Sequence, residues 1–493
     1  MERPEQTSDA RPPEGEDGAV DAFDAAMPCA RDLQRLGAEP MACLDRWRRA
    51  LGDLYRLDLS GPLLTRGEDC PGVVVVSGEA HQRAVLTDIE RYVLPESAAR
   101  TLGLPPALRT LNTGLHGMRG ADHERDKQLL ARVLAAVDAE AMRIAIAPAV
   151  QTIATRLRAG AGALSAMRAL TFEASSRLLF GIAGSATVGP ERLMAYFQLR
   201  REAAAPGREI DAATRTRLIA LGEAVDAGLR GYRRQLRAMP GAEADHGALA
   251  ALALADDIGE DAFVGHANVL FISCNEPVAV ALTWTLLAIS QLPGLQTRLR
   301  AEATTTGHDD GRPGPSMPLL ESSQLKSSLL QSVLSESLRV LTPNALMVRV
   351  VREPVVLGGY RLPAGCEVLL CPFLSHRDPQ WFPQPQRFSP SRWAGLRPSA
   401  YTYFPFGAGG HGCVGRALAL RMLHAALSGL LCEGVVVLDG DADVDWRVQV
   451  MLMPTVDPML RLCDELPMKR GMFQGGMLHG GIAGIVALSD EWC

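Results

Sequence analysis

The sequence lacks the features that mark several large protein classes. No stretch of about 20 consecutive apolar residues occurs in its 493 residues, so no membrane-spanning helix is predicted. Its ten cysteines form no CxxC pair, which argues against a disulfide framework and predicts free thiols in a reducing cytoplasm. With a net charge of −6, the chain offers no basic surface for a nucleic acid. These absences favour a cytoplasmic globular protein.

The two ends of the chain differ in composition from the part between them. Residues 1–32 begin with acidic residues and prolines and lack the basic start and apolar run of a signal peptide, so we predict a disordered tail. Residues 466–493 are rich in glycine and follow the last predicted strand, which favours a flexible extension. One domain is therefore expected over residues 33–465.

The pattern of apolar residues within this domain predicts a mainly α protein with a smaller β portion. Helices are expected at 122–138, 191–202, 212–239, 327–341 and 414–431. Strands are expected at 73–76, 348–356, 367–370 and 459–462. A surface loop is expected at 303–318, which contains three threonines in a row and several prolines.

A cysteine lies in a glycine-dense loop directly before the last apolar helix. The loop runs from Phe406 to Gly415 and contains Cys413. The pKa of a thiol falls near a helix N-terminus, and glycines allow backbone amides to turn toward the sulfur. The pattern therefore predicts that Cys413 is a thiolate ligand for a metal, rather than a buried structural cysteine.

This loop resembles the signature Phe-x-x-Gly-x-x-x-Cys-x-Gly of the cytochrome P450 family, with Phe406, Gly409, Cys413 and Gly415 at the four fixed places. The resemblance extends from about residue 35 to 463. It implies a cytochrome P450-like fold that holds haem b between a long distal helix and the cysteine loop. Cys413 would be the iron ligand, and Phe406 and Gly415 would be parts of the haem site.

The resemblance also implies a set of supporting residues. Glu336 and Arg339 match the family's Glu-x-x-Arg and would form a buried charge triad with Arg392. The haem propionates would be bound by a second set: His123, Lys127, Arg349 and His411. Lys127 stands where the family has arginine, so it would act as a point charge without a bidentate fork.

The distal helix departs from the family pattern Ala/Gly-Gly-x-Asp/Glu-Thr. The aligned residues are Ser273, Cys274, Asn275, Glu276 and Pro277, so proline replaces the threonine whose hydroxyl helps to deliver protons in the family. Proline should also kink the helix. We expect one of Ser273, Asn275 and Glu276 to supply protons, or else Glu276 to be only an ion-pair residue that faces away from the haem.

A proline at this place also resembles the fatty-acid peroxygenase branch of the family. In that branch an arginine precedes the proline and anchors a substrate carboxylate, whereas this sequence has Glu276, which would repel one. Carboxylate substrates are therefore disfavoured on this ground, and the use of peroxide stays open.

The resemblance implies a monooxygenase that oxidises a small, largely apolar metabolite with dioxygen, as expected in secondary metabolism. Electrons would come from a separate ferredoxin and ferredoxin reductase, because no dinucleotide-binding fingerprint opens a βαβ unit. We expect a monomer. Two alternatives stay open: a peroxide-driven or oxygen-independent enzyme (a peroxygenase, isomerase or dehydratase), and an inactive haem-binding recruitment module. The pocket is expected near 102–117, 194–206 and 263–275.

Overall fold

The computed structural model describes residues 23–65, 69–95, 104–112, 114–203, 210–239, 241, 245–306, 328–439, 444–448, 450–465 and 487–488. The predicted N-terminal tail up to residue 22, most of the loop at 303–318 and most of the C-terminal extension lie outside these residues.

Helices form most of this part of the chain. They are α1 (Pro40–Leu51), α2 (Glu79–Thr87), α3 (Pro106–Arg109), α4 (Gly120–Ala135), α5 (Ala139–Arg158), α6 (Ala163–Val188), α7 (Pro190–Ala203), α8 (Ala212–Ala238), α9 (Leu249–Leu254), α10 (Glu260–Ser273), α11 (Glu276–Ser290), α12 (Pro293–Thr306), α13 (Leu329–Val340), α14 (Pro372–Ser375) and α15 (Arg416–Glu433). All five predicted helices are confirmed, and their ends differ from the prediction by a few residues.

The strands are short. They are β1 (Cys29–Ala30), β2 (Leu54–Leu57), β3 (Val73–Val76), β4 (Tyr92–Val93), β5 (Ala161–Gly162), β6 (Met347–Val351), β7 (Val355–Leu357), β8 (Tyr360–Leu362), β9 (Glu367–Leu370), β10 (Arg387–Phe388), β11 (Val435–Leu438), β12 (Trp446–Val448), β13 (Leu452–Pro454), β14 (Met459–Cys463) and β15 (Ala487–Leu488). The largest sheet has the order β1-β2-β3-β9-β6-β4. The mainly α architecture is therefore confirmed.

Helix α11 is at the centre of the core. Every residue from Val278 to Ser290 is buried, because the segment is apolar around its whole circumference. It packs against α6, α13 and α15, and the Trp284 indole N–H donates to the Leu452 carbonyl at 2.9 Å. This helix fixes the position of the residues just before it, which contain the distal site.

The stretch Glu260–Ser290 is long and apolar enough on average to cross a bilayer. Runs of apolar residues alone do not predict it, because polar residues interrupt them. Of its most apolar window, 72% is buried inside the protein. The stretch is also interrupted between α10 and α11. Both features are typical of a core helix.

Three predictions about the extent of ordered segments are wrong. Ordered structure begins before residue 33, because β1 pairs in parallel with β2 and Met27 and Ala30 are buried. The strand predicted at 348–356 is two strands, β6 and β7, separated by a bend. The C-terminal extension is not flexible throughout, because Ala487–Leu488 forms a strand parallel to Arg387–Phe388.

Candidate active site

The loop that carries Cys413 depends on glycine for its shape. Gly407 and Gly409 have φ angles of 68° and 67°, a region that favours glycine. A Cβ atom on Gly409 would overlap the carbonyl oxygen of Leu86 at the end of α2. The loop closes where the Cys413 N–H donates to the Phe406 carbonyl at 2.9 Å. Glycine at 409 therefore allows the loop to lie directly on α2.

The sulfur of Cys413 lies just before the first turn of α15. Burial raises the pKa of its thiol, whereas the Gly415 N–H, Lys127 and Arg416 lower it. The side chain is nevertheless exposed. A group that is both desolvated and exposed lies on the wall of an internal space rather than at the outer surface. The Gly415 amide thus lies near this sulfur, as the glycine-dense loop predicts.

A cluster of cationic and imidazole side chains surrounds this space. Burial, followed by the nearby Arg349, His123, His116 and Lys127, lowers the pKa of His411 to about 3. The His123 and His411 rings stand edge to face, 5.1 Å apart. The structure therefore brings together all four predicted propionate residues and adds His116. The sequence signal for His116 was only its place in the expected pocket segment.

Arg349 is the most deeply buried member of this cluster. It is 3% exposed, and its guanidinium donates only to the neighbouring Val348 carbonyl among the residues described. Burial lowers its pKa to about 10. A buried guanidinium without an anion is costly, so the position fits an anionic group of a cofactor.

Lys127 contacts the thiolate loop more directly than expected. Its ammonium group donates to the Gly410 carbonyl. Burial lowers its pKa, and the nearby Cys413 raises it. One of its three donors therefore holds the loop on α4, and the others remain for a propionate.

The central helix is broken as the proline predicts. Helix α10 ends at Ser273 and α11 begins at Glu276, because Pro277 has no N–H to donate to the Ser273 carbonyl. Asn275 has a non-helical backbone, with φ −96° and ψ −80°. Burial, followed by the nearby Cys413, raises the pKa of Cys274 to about 12, so the two sulfurs lie near each other.

The three candidate proton donors occupy different environments. Ser273 is exposed, and its hydroxyl makes no hydrogen bond within the described residues. Asn275 is buried and donates to the Ser175 hydroxyl and the Phe271 carbonyl at 2.9 and 2.6 Å. Glu276 is held in an ion pair.

The carboxylate of Glu276 is bound by two arginines. Arg168 Nε on α6 donates to it at 2.9 Å, and a second nitrogen of the same guanidinium completes a bidentate pair. Arg201 on α7 lies 3.3 Å from the same carboxylate. This geometry favours the interpretation that Glu276 is an ion-pair residue over the interpretation that it donates protons.

The predicted charge triad is confirmed. Arg339 makes two hydrogen bonds of 2.9 Å to Glu336, and both side chains are fully buried. Arg392 adds a third at 2.9 Å. The Trp393 indole and the Ser389 N–H also donate to Glu336, at 3.0 and 2.8 Å. The indole contact was not predicted.

The donor set fits a haem. It consists of the Cys413 thiol on the wall of an internal space, with two cationic side chains, Arg349 and Lys127, and three imidazoles beside it. No group of three or more His, Cys, Asp or Glu side chains suited to a metal occurs in the described part of the chain. A metal whose other ligands belong to a cofactor is the kind that this arrangement could hold.

Comparison with known proteins points to the same family as the loop. Residues 257–441 match the model of the family Cytochrome P450. Cyclooctatin synthase of Streptomyces melanosporofaciens is 34% identical over 164 residues, 33% of this chain and 34% of that protein. Putative cytochrome P450 137 of Mycobacterium tuberculosis is 30% identical over 186 residues, 38% of this chain and 35% of that protein. The chain thus spans about a third of these relatives' length.

Solved structures match over a larger part of the chain. The retinoic acid-bound cyanobacterial CYP120A1 has a TM-score of 0.68 and 18% identity, covering 89% of this chain and 99% of its own. A zebrafish cytochrome P450 solved with progesterone has a TM-score of 0.68 and 22% identity, covering 86% of this chain and 99% of its own. These likenesses establish the fold.

Proposed function

Because the chain has the cytochrome P450 fold and its residues 257–441 match the model of that family, we propose that it is a haem-thiolate monooxygenase acting on a small, largely apolar metabolite. The observation that carries this proposal is the sulfur of Cys413, which faces an internal space and has the Gly415 amide, Lys127 and Arg416 near it. These groups lower the pKa of the thiol and so favour the thiolate, which is the form that binds a metal.

Haem b would be held by Cys413 on one side and by the cationic cluster around Arg349 at its edge. When bound, it supplies the oxidation chemistry, and the thiolate favours O–O cleavage. The protein's residues hold it, orient the substrate and keep water out. A separate ferredoxin and ferredoxin reductase would donate electrons to a cytoplasmic monomer, in secondary metabolism.

A second candidate function is a peroxide-driven or oxygen-independent reaction. It is favoured by Pro277, which stands where the family has a hydroxyl, and by Glu276, whose carboxylate is bound by two arginines. Both features weaken proton delivery from the distal side. The preserved Cys413 site argues against an inactive recruitment module.

The first experiment is a spectrum of the reduced protein under carbon monoxide, followed by turnover under isotopically labelled dioxygen with surrogate redox partners. We expect the band of a thiolate-ligated haem and one labelled oxygen atom in the product. Product only with peroxide, or product without label, would replace the monooxygenase proposal by the second candidate. Absence of the carbon monoxide band would exclude both.

Replacing Glu276 by Gln tests whether its carboxylate moves protons. If it does, we expect the product formed per electron consumed to fall at least about tenfold, because positioned acid–base groups contribute about 10²–10⁴-fold. The matched control is Arg168→Gln, which removes the bidentate pair and leaves the carboxylate in place. Equal effects of the two substitutions would show that Glu276 acts only through its ion pair.

A further inference from the structure

One face of α7 carries a charge among buried apolar residues. Leu193 and Tyr196 are 0% exposed and Ala203 is 2% exposed. Arg200 follows Tyr196 by four positions and precedes Ala203 by three, so it lies on the same face. Most of a helical face that packs into the core is apolar. A guanidinium on this otherwise apolar face requires an anionic partner for its charge.

The contacts of two residues on the same helix, Tyr196 and Arg201, indicate where Arg200 lies. The Tyr196 hydroxyl accepts from the Asn112 amide at 2.9 Å, and Asn112 precedes the turn Gly114–Gly117 that carries His116 of the cationic cluster. Arg201, the next residue, reaches Glu276 beside the helix break. Arg200 therefore lies between the loop with His116 and the broken helix, on the distal side of the space that Cys413 faces.

No acidic partner of Arg200 is present in the described part of the chain. The ring of Phe197 lies 5.9 Å from the guanidinium and is its one described ring contact. Burial lowers the pKa of Arg200, and the nearby Tyr196 raises it by a smaller amount. The two nearby arginines on Glu276 are already paired, whereas Arg200 is not.

Arg200 combines desolvation with partial exposure, as Cys413 does. Its residue surface is of intermediate exposure, although burial lowers the pKa of its guanidinium. Helix α7 packs against α10, which ends at the helix break, and Arg200 lies on the face of α7 that is otherwise buried. A ligand on the distal side of the space that Cys413 faces could therefore reach its accessible part.

A guanidinium on a buried face is destabilising unless an anion meets it, so this arrangement indicates a ligand that supplies the anion. Resting on the proposed function, we propose that Arg200 binds a carboxylate on the otherwise apolar substrate and thereby positions it in the distal space. The planar guanidinium matches a carboxylate through two parallel hydrogen bonds.

This assignment changes the expectation drawn from Glu276. Its negative charge would repel a carboxylate only if it were free, and it is neutralised by Arg168 and Arg201. Of the three arginines among these four side chains, Arg200 alone has no acidic partner within the described part of the chain, and the group as a whole is positively charged.

The test uses ω-imidazolyl alkanoic acids of 8, 10 and 12 carbons, each paired with its methyl ester. The extended carbon chains of these acids are about 10–15 Å long. The imidazole ligates a haem iron whatever the natural substrate is, so the spectral shift reports the dissociation constant. We expect the best acid to bind about 10- to 100-fold more tightly than its ester, the range of a charge-assisted hydrogen bond.

The variants separate Arg200 from other charges. Arg200→Met is expected to bring the ratio of ester to acid dissociation constants close to one, and Arg200→Lys to keep part of it. Arg192→Gln changes an exposed arginine of the same helix and is expected to keep the full ratio. An acid preference that persists in Arg200→Met, or that is absent from the unaltered protein, would overturn the assignment.

A second readout does not depend on the haem. Removing an unpaired buried charge should leave the thermal midpoint of the ligand-free protein unchanged or raise it by a few degrees. A clear fall in the midpoint of Arg200→Met would show that the guanidinium is structural and would overturn the proposal. If the carbon monoxide band of the reduced protein is absent, the haem-thiolate proposal fails, and the midpoint still decides whether Arg200 is unpaired.

Discussion

Replacing Glu336 by Gln is expected to lower the free energy of unfolding by about 3–5 kcal/mol, the cost of breaking a buried ion pair from one side. Glu336 accepts hydrogen bonds from Arg339, Arg392 and Trp393. A glutamine amide has one acceptor oxygen and presents an NH₂ group where the second carboxylate oxygen accepts. Arg339, 0% exposed, would then lack its carboxylate.

Urea denaturation of the unaltered protein and of Glu336→Gln measures this loss of unfolding free energy. The control is Asp439→Asn, which breaks an ion pair with Arg461 whose side chains are 44% and 49% exposed. Exposed pairs contribute about 0–1 kcal/mol. A midpoint for Glu336→Gln as high as that of the control would show that Arg339 is satisfied by its bonds to the His376, Pro385 and Arg387 carbonyls alone.

Replacing Gly409 by Ala is expected to lower the fraction of protein with a thiolate-ligated haem at least about tenfold. The left-handed backbone at φ 67° costs about 1–2 kcal/mol for an L-residue, and about 1.4 kcal/mol is already tenfold. The added methyl group would in addition overlap the Leu86 carbonyl, which belongs to rigid backbone. The loop must move away from α2, and Cys413 moves with it.

The carbon monoxide spectrum of the reduced protein, set against total haem, measures that fraction. Gly395→Ala is the matched control, since its φ is −112° and nothing lies within 4 Å of the added atom. An unchanged spectrum for Gly409→Ala would mean that the loop can relax without moving the sulfur.

Features with a local cause could be predicted from the sequence. The break before α11 follows from the missing N–H of Pro277, whatever surrounds it. The pairing of Glu336 with Arg339 follows from their spacing on one helix face. The nearness of the Gly415 amide to the Cys413 sulfur follows from a loop of glycines before a helix. In each case the residues that matter are close together in the chain.

Features that depend on distant partners could not be predicted. Glu276 pairs with Arg168, 108 positions away, and Lys127 binds the Gly410 carbonyl, 283 positions away. Strand β1 has two residues, too few for an alternating pattern, and it exists because β2 offers an edge after an intervening helix. Arg200 lies on a buried face, but only the packing of α7 on its neighbours shows that no acid in the described residues faces it.

The contact between Lys127 and the thiolate loop has a practical consequence for coupling chemistry. The sequence contains three lysines, at positions 127, 326 and 469, so almost all of its positive charge is carried by arginine. Lys127 is the one lysine in the described part of the chain, and it is half-buried. Amine-directed dyes or resins that acylate Lys127 would remove its charge and its bond to Gly410 together. Immobilisation that spares the site must therefore be directed at residues other than lysine.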